Sequence, residues 1–421
     1  MQYSTRVLVV GTTADYIDWI RRSCPGRALF LTDPTVRLEA LDPRPTPIEE
    51  IVCDLSDYSE TRQALEQRLS SEALHLDGIA SYDCESMELA AVLAHEFALS
   101  YPSVQTVNNC RNKYLSKLLW QRHGLRTPRS RLIRSTADAA AFFQQIGGPC
   151  VLKPLNGSGS ELIFSCDSER ACETGFEKII NGLQQRRTNR LYKSSSTDGP
   201  TVLAEEYIKG SEFSCDFICE NGDVRVIRVT RKVISSRGPF GTARGYLLSA
   251  SLPDEIDEQD LIQTLCQSAA ALGLDRAMCM LDFIVHESQI VLLELAPRPG
   301  GDCLPFLLRR CWNLDLLKLF LDFSQHRPIR IEKPPDPPEC LGLRLHARHS
   351  GILKNIDAGK LSTNARVREV HFSRRPGHLI RMPPDDYESW VLGHVIMDPD
   401  GHTELEAQCQ ALIDKLVVEI E

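Results

Sequence analysis

The segment Leu292-Leu293-Glu294-Leu295-Ala296-Pro297-Arg298-Pro299-Gly300-Gly301 decides the fold of this chain. Another apolar run, residues 280–285, precedes this segment in the chain and also carries one acid, Asp282. Two carboxylates on neighbouring apolar strands are costly to bury unless a cation holds them. A Mg²⁺ ion bound to a nucleotide phosphate could be this cation, because Mg²⁺ usually binds one or two carboxylates together with phosphate oxygens. The segment therefore predicts a nucleotide and metal site, and two separately hydrogen-bonded structural acids are the alternative.

The composition and charge of the chain limit the binding partners and the cellular compartment that we expect. The chain has 421 residues and a formal charge of −9, from 48 basic and 57 acidic residues, which argues against a nucleic-acid surface spread over the whole protein. No run approaches the ~18 apolar residues of a membrane span, and residues 6–10 resemble a core strand rather than a signal peptide. The 15 cysteines include no CxxC pair, which favours buried free thiols in the cytoplasm.

The first hundred residues alternate between strand and helix patterns. Strands are predicted at 6–10, 28–31, 48–53 and 77–80, with an apolar helical face over 87–99. This alternation is typical of a parallel sheet covered by helices. The turn after the first strand lacks the GxGxxG fingerprint, so we interpret this region as a structural wall of a cleft.

The remaining chain mixes both patterns. Helices are predicted at 108–123, 136–146, 255–272, 304–323 and 403–418, and strands at 130–133, 150–154, 201–206, 212–219 and 224–230. Residues 184–200 are polar and are predicted to be a mobile surface loop. The proline-rich segment 327–339 is typical of a linker.

Three further motifs suggest ligand contacts. Lys153 ends an apolar strand before Gly157-Ser158-Gly159-Ser160, which could lay its amides and the lysine against phosphates, although a plain hairpin has the same pattern. The acidic turn 205–213 could meet an adenine edge and ribose hydroxyls, or could simply be solvated. The basic, glycine-containing stretch 231–245 is predicted to fold over phosphates through Lys232 and Arg231, with a solvated loop as the alternative.

The residues around Arg298 complete the predicted site. Its guanidinium could neutralise charge on a transferred phosphoryl group, or it could form a salt bridge to Glu294 that orders the loop. Gly300-Gly301 would allow close approach of a substrate, or form a simple turn.

Taken in order, these motifs resemble the ATP-grasp superfamily, in its carboxylate–amine ligase branch, and are similar to the L-amino acid ligases. The resemblance implies an α/β (α+β) ATP-grasp fold with an N-terminal parallel α/β domain and a small β-rich C-terminal lobe. It divides the chain at 1–105, 106–200 (the smaller ATP-grasp half), 201–330 (the larger half with the metal site) and 331–421 (the lobe).

The resemblance also assigns a role to each motif. The lysines that hold ATP would be Lys113 and Lys153, with Gly157, Ser158, Gly159 and Ser160 as the phosphate loop. The adenine hinge would comprise Glu205, Glu206, Tyr207 and Ile208, with Glu212 on the ribose and Asp282 and Glu294 on the metal. Arg298 would stabilise an acyl phosphate, with Lys232 as a second catalytic cation, and Gly300, Gly301 and Asp302 would border the substrate. One departure is Ala296, where many members place a metal-binding asparagine.

The activity implied is ATP-dependent formation of an amide through an acyl phosphate, with ATP and Mg²⁺ (or Mn²⁺), on a small-molecule carboxylate and an amine, of which one is an amino acid. Two alternatives stay open: a non-catalytic ATP-binding regulatory protein, which Ala296 favours, and an ATP-grasp kinase. Neither nucleic acid nor membrane is expected as a partner, and a homodimer is compatible with the resemblance.

Overall fold

The N-terminal region is a parallel sheet covered by helices, which confirms the alternating pattern. The structure, a computed structural model, describes residues 4–195, 201–234 and 238–421. The strands, in sheet order β3-β2-β1-β4, are β1 (Ser4–Val10), β2 (Ala28–Thr32), β3 (Glu50–Val52) and β4 (Leu74–Ala80). The helices are α1 (Ala14–Ser23), α2 (Pro34–Glu39), α3 (Tyr58–Ser71) and α4 (Met87–Glu96). Residues 7–10 are fully buried, because helices cover both faces of such a sheet.

A second, antiparallel sheet follows two helices, α5 (Val104–Arg111) and α6 (Lys113–Arg122). Its strand order is β5-β8-β6-β7. The elements are β5 (Ser130–Ile133), α7 (Thr136–Ile146), β6 (Cys150–Lys153), β7 (Phe164–Cys166), α8 (Glu169–Gln185) and β8 (Val202–Glu206). The helices α7 and α8 share a core with this sheet, so β6 and β8 are held as a rigid wall.

The largest sheet is antiparallel and has eight strands, in the order β13-β12-β9-β10-β11-β14-β18-β16. Its first strands are β9 (Ser211–Glu220), β10 (Asp223–Ile234), β11 (Ala243–Leu248), β12 (Arg276–His286) and β13 (Gln289–Ala296). The helices in this part of the chain are α9 (Glu258–Leu272), α10 (Leu304–Trp312) and α11 (Leu316–Ser324). The C-terminal part of the chain contains α12 (Leu405–Ile413) and a separate three-stranded sheet of β15 (Gly351–Asp357), β17 (Leu379–Ile380) and β19 (Val417–Ile420), in the order β17-β15-β19. It also adds β14 (Cys340–His346), β16 (Val367–Phe372) and β18 (Val391–Met397) to the eight-stranded sheet. Because β14 pairs with β11, this sheet crosses the predicted boundary at residue 330.

Two predicted helices are each broken in two. The helix predicted at 108–123 ends at Arg111 and restarts at Lys113, because the side chain of Asn112 caps the new helix by accepting from the amides of Tyr114 (3.1 Å) and Leu115 (3.0 Å). The helix predicted at 304–323 breaks at Asn313, whose backbone is left-handed at φ 55°.

Two other predictions are wrong in part. Within 184–200, α8 continues to Gln185 and a 3₁₀ helix occupies Arg190–Ser195, with Leu191 and Tyr192 buried, while residues 196–200 lie outside the described part of the chain. The closing helix is shorter than 403–418, because the β-branched pair Val417 and Val418 forms β19 against β15. The proline-rich segment 327–339 carries no helix or strand, as predicted.

The cysteines depart from the free-thiol interpretation at one place, where Cys311 and Cys340 form a disulfide between α10 and β14. The other thirteen are free, and all but Cys266 are buried. Across the described residues, no helix combines the length and the apolar character that crossing a bilayer requires.

Candidate active site

A cleft of about 470 Å³ lies between the antiparallel four-stranded sheet β5-β8-β6-β7 and the eight-stranded sheet. Nearly all of the predicted site residues line it. They are Lys113, Lys153, Gly157, Ser158, Gly159, Ser160, Glu205, Glu206, Tyr207, Ile208, Glu212, Lys232, Asp282, Glu294, Arg298, Gly301 and Asp302. The structure therefore gathers residues that are up to 189 positions apart in the chain into one cavity.

The Gly/Ser loop does connect two antiparallel strands, β6 and β7, and it also borders the cleft. Gly159 has φ 65° and Ser160 φ 62°, left-handed conformations that turn the backbone sharply. The ammonium of Lys113 donates to the carbonyl of Gly157 (2.9 Å) and lies 3.2 Å from Glu294 Oε1. Lys113 therefore links the loop on one wall to an acid on the other.

At the end of β6 that leads into this loop, one carboxylate joins two lysines. Glu205 Oε2 lies 2.7 Å from the Nζ of Lys153, and its Oε1 lies 2.7 Å from the Nζ of Lys117. Burial alone would raise the pKa of Glu205, but the two ammonium groups outweigh it and lower that pKa. The carboxylate is thus committed to the two lysines, and the backbone of Glu205 lies in the sheet between Ser130 of β5 and Val151 of β6.

Sequence reasoning missed Lys117, which is fully buried. Its Nζ also donates to the carbonyl of Leu293 (2.8 Å). Burial, opposed by Glu205, lowers the pKa of Lys117 to about 8. The signal was available, because Lys117 stands one helical turn after Lys113 and so shares its face of α6.

The two predicted metal carboxylates are direct neighbours across β12 and β13. Asp282 is paired in register with Glu294, so both side chains stand on the same face of the sheet. The register shifts immediately afterwards, which makes Leu293 a bulge residue. Burial would raise the pKa of Glu294, but Lys113 and Lys153 lower it below its ordinary value.

These acids fit a Mg²⁺ ion. Asp282 Oδ1 is buried and accepts no hydrogen bond from the described residues. Buried polar atoms usually have a partner, and a bound cation would provide one. Ala296 lies opposite Met280 at the edge of the cleft and offers no side-chain oxygen. Within the described ranges, no group of three or more His, Cys, Asp or Glu is placed to hold a metal. Asp282 and Glu294 would therefore hold one ion together with phosphate oxygens.

Lys232 lies on β10 rather than in a loop, which corrects the prediction for 231–245. Its Nζ is 2.6 Å from both Glu212 Oε1 and Asp282 Oδ2, and these two acids raise its pKa against the opposing effect of burial. Arg231 is the adjacent residue on the strand, so its side chain points to the other face. The tip of the hairpin reaches the cleft through Phe240 and Gly241, and residues 235–237 lie outside the described residues.

Arg298 contacts the N-terminal region instead of Glu294. Its Nε and Nη2 donate to the thiol sulfur of Cys84 at 3.1 and 3.0 Å, and its Nη1 donates to the carbonyl of Pro299 at 2.8 Å. Burial lowers the pKa of Arg298, but the Cys84 contact helps to raise it overall. Three of the five guanidinium donors are thereby used, and two remain for an anion in the cleft. Sequence reasoning missed Cys84, which gives no signal outside the fold.

The three residues predicted to border the substrate divide into two kinds. Gly301 and Asp302 line the cleft, whereas Gly300 lies beneath it and donates its amide to the buried Asp216 (2.9 Å). Asp302 lies 2.6 Å from Arg344 of β14 and 3.5 Å from the hydroxyl of Tyr246. Arg344 was not predicted, because β14 reaches the cleft through its place in the eight-stranded sheet.

Replacing Gly300 by alanine should destabilise the protein by about 1–3 kcal/mol, the usual cost of overpacking a buried position. A Cβ at this position would lie 2.4 Å from Arg228 Nη2 and 2.9 Å from Leu304 Cδ1. Arg228 is fully buried and bonded to Asp216 and Ser214, so it has no room to move. Urea denaturation measures the change in the free energy of unfolding.

The neighbouring glycine provides a matched control for this prediction. A Cβ on Gly301 would meet its nearest atoms at 3.7 Å (Arg298) and 3.9 Å (Tyr16). Gly301→Ala should therefore change the free energy of unfolding by no more than about 0.5 kcal/mol. Equal effects of the two variants would show that Gly300 is not specially confined.

Part of the chain is similar to known proteins. Residues 146–305 match the family described as the ATP-grasp domain. The chain is 25% identical over 208 residues to a D-alanine–D-alanine ligase of Acidovorax ebreus, covering 47% of this chain and 57% of that protein. It is 21% identical over 286 residues to an L-arginine-specific L-amino acid ligase of Bacillus subtilis, covering 68% and 66%. The chain thus spans only about half to two thirds of the length of these relatives.

The fold has a counterpart among solved structures. The crystal structure of an L-amino acid ligase from Bacillus licheniformis superposes over 100% of both chains, with a TM-score of 0.76 and 19% sequence identity. At this identity the likeness concerns the fold alone. The matched segment contains β6, β8, β12 and β13, which carry Lys153, Glu205, Asp282 and Glu294, whereas Lys113 lies outside it. Residues 146–305 of this chain thus match the ATP-grasp domain, and the chain shares the fold of an L-amino acid ligase.

Proposed function

We propose that the protein is an ATP-dependent carboxylate–amine ligase that forms an amide or peptide bond on an amino acid. The observation that carries this proposal is the register pair Asp282 and Glu294, with an orphaned oxygen on Asp282, facing Lys113 and Lys153 across one cleft. Carboxylates and lysines that line one cleft could together bind a metal ion and the phosphate chain of a nucleotide. The named ligases among the relatives support the class of reaction.

The residues of the cleft would divide the binding of ATP between them. Lys113, Lys153 and the loop 157–160 would hold phosphates. Among the hinge residues, the amides of Glu206 and Tyr207 already donate to the carbonyls of Arg129 and Pro149, which leaves the backbone of Ile208 as the better contact for the adenine edge. The Glu212 carboxylate, once it exchanges Lys232 for hydroxyl partners, would accept from the ribose.

The proposed ligase reaction would proceed in two steps, formation of an acyl phosphate and then of an amide. A substrate carboxylate oxygen would attack the γ-phosphorus of ATP, forming an acyl phosphate and releasing ADP. The nitrogen of an amine would then attack the acyl carbon, lose a proton and expel phosphate, which leaves an amide. A bound Mg²⁺ would neutralise phosphate charge, and positioning with charge stabilisation would supply most of the rate enhancement.

Arg298 would stabilise the transferred group through its two remaining donors. The Cys84 and Pro299 contacts fix the plane of the guanidinium, so these donors are aimed before substrate arrives. Lys232 would act as the second cation, between the ribose and metal ends of the cleft. Asp302 and Arg344, which are oppositely charged, would contact the polar groups of the amino acid.

An ADP-release assay with pairs of amino acids tests the proposal, and mass spectrometry identifies the product. We expect ADP formation that depends on the amino acid, with an amide product in amounts equal to the ADP. ATP binding without turnover across the panel would favour the regulatory protein. A phosphorylated hydroxyl compound as the stable product would favour the kinase.

A further inference from the structure

Two ammonium groups and one carboxylate, those of Lys117, Lys153 and Glu205, are buried together at one wall of the cleft. The exposed fractions of the side chains are 0% for Lys117, 3% for Glu205 and 9% for Lys153. Each oxygen of Glu205 lies 2.7 Å from one ammonium, so the three groups form a linear chain. Lys153 and Glu205 line the cleft, whereas Lys117 is not among the described residues that line it.

The presence of Lys117 changes the charge that Lys153 presents to a ligand. A simple pair of Lys153 and Glu205 would be neutral, and the carboxylate would screen the lysine from phosphates. Because Glu205 is shared between two ammonium groups, the three residues together carry one positive charge. The lowered pKa of Glu205 agrees with a carboxylate that stays ionised between them.

Lys117 also contacts the strand that carries the second metal carboxylate. A bulge residue is left out of the regular ladder of backbone hydrogen bonds. Here the bulge residue is Leu293, and its carbonyl accepts from Lys117 Nζ at 2.8 Å. This bond fixes the backbone immediately before Glu294, and hence the direction of the Glu294 side chain.

We propose that Lys117 is a positioning residue for phosphate and metal binding, which acts on Lys153 through Glu205 and on Glu294 through the Leu293 carbonyl without touching the nucleotide. This inference rests on the proposed function, because it assumes that ATP phosphates occupy the cleft. Its competitor is a purely structural role, in which the buried ion pair only stabilises the fold.

Binding of adenosine, AMP, ADP and ATP, each measured with Mg²⁺ by calorimetry, separates the two roles. If Lys117 supplies charge, Lys117→Met should leave the Kd for adenosine unchanged and weaken the nucleotides in order of phosphate number. Loss of one charge in a partly buried site should raise the Kd for Mg-ATP about tenfold or more. A structural role would weaken all four ligands by a similar factor.

Two further variants keep the test decisive if the methionine variant does not fold. Lys117→Gln removes the charge but can still donate to Leu293 and Glu205, so it should show the same graded loss. Lys117→Arg keeps the charge and should bind Mg-ATP more tightly than Lys117→Gln. As a matched control, Ser116→Ala alters the adjacent buried residue of α6, whose hydroxyl donates to the Lys113 carbonyl, and should give no gradation.

The outcomes separate this inference from the proposed function. If the wild-type protein binds Mg-ATP and the ratio of variant to wild-type Kd is the same for all four ligands, the inference alone is wrong. If the wild-type protein binds no Mg-ATP, the proposed function fails, and the inference fails with it.

Discussion

Replacing Arg298 by methionine is expected to slow amide formation by about 10³-fold while changing the Kd for Mg-ATP by no more than about threefold, because arginines that stabilise phosphoryl transfer act mainly in the transition state. The side chain is held by Cys84 and Pro299 at one end of the cleft, away from the adenine hinge. The kcat for ADP release and the calorimetric Kd measure the two quantities separately.

Two controls sharpen this expectation. Arg310→Met removes a guanidinium from α10 that is 51% exposed and is not among the residues that line the cleft, and it should leave kcat unchanged. Arg298→Lys keeps the charge but loses the planar fork, so we expect an intermediate kcat. A loss of less than tenfold in Arg298→Met would remove this residue from the mechanism.

Replacing Arg228 by methionine should destabilise the protein by about 3–5 kcal/mol, the usual cost of leaving one member of a buried ion pair without its partner. The side chains of Arg228 and Asp216 are both 0% exposed, and their Nε and Oδ2 atoms lie 2.7 Å apart. Without the guanidinium, Asp216 would stay buried with only the amide of Gly300 as a donor from the loop. Urea denaturation gives the change in the free energy of unfolding.

The same strand offers a matched control. Arg225 also lies on β10, but its side chain is 44% exposed and stands 3.8 Å from Glu220. Arg225→Met should therefore cost no more than about 1 kcal/mol, as is usual for exposed ion pairs. A similar loss in both variants would mean that burial of the pair does not determine its contribution.

Much of the fold was predictable because the signals are local. Asp282 and Glu294 interrupt apolar strands, and their pairing follows once these strands are adjacent. The helix breaks were missed because they depend on single residues: the side chain of Asn112 accepts from two amides, and the backbone of Asn313 adopts φ 55°. Helical periodicity continues across both positions, so it gives no signal of a break.

The residues that line the cleft were largely predictable, and residues that support another residue beneath it were less so. Gly300 was predicted to border the substrate, but its amide bonds Asp216 beneath the loop. Lys117 was missed although its spacing of four residues from Lys113 was visible in the sequence. Cys84 and Arg344 were missed because their partners lie 214 and 42 positions away and come together only in the folded chain. Tertiary contacts of this range leave no periodicity or spacing in a single sequence.

The continuity of the eight-stranded sheet determines how far this protein could be divided. Cutting the chain at residue 330 would remove β14 from β11 and leave β11 with an exposed row of unpaired backbone groups, which is prone to aggregation. The same cut would take away Arg344 and leave Asp302 without its cation. Exchanging C-terminal lobes between related proteins would therefore alter the end of the cleft at Asp302 as well as the periphery, and a smaller engineered version would need a new strand beside β11.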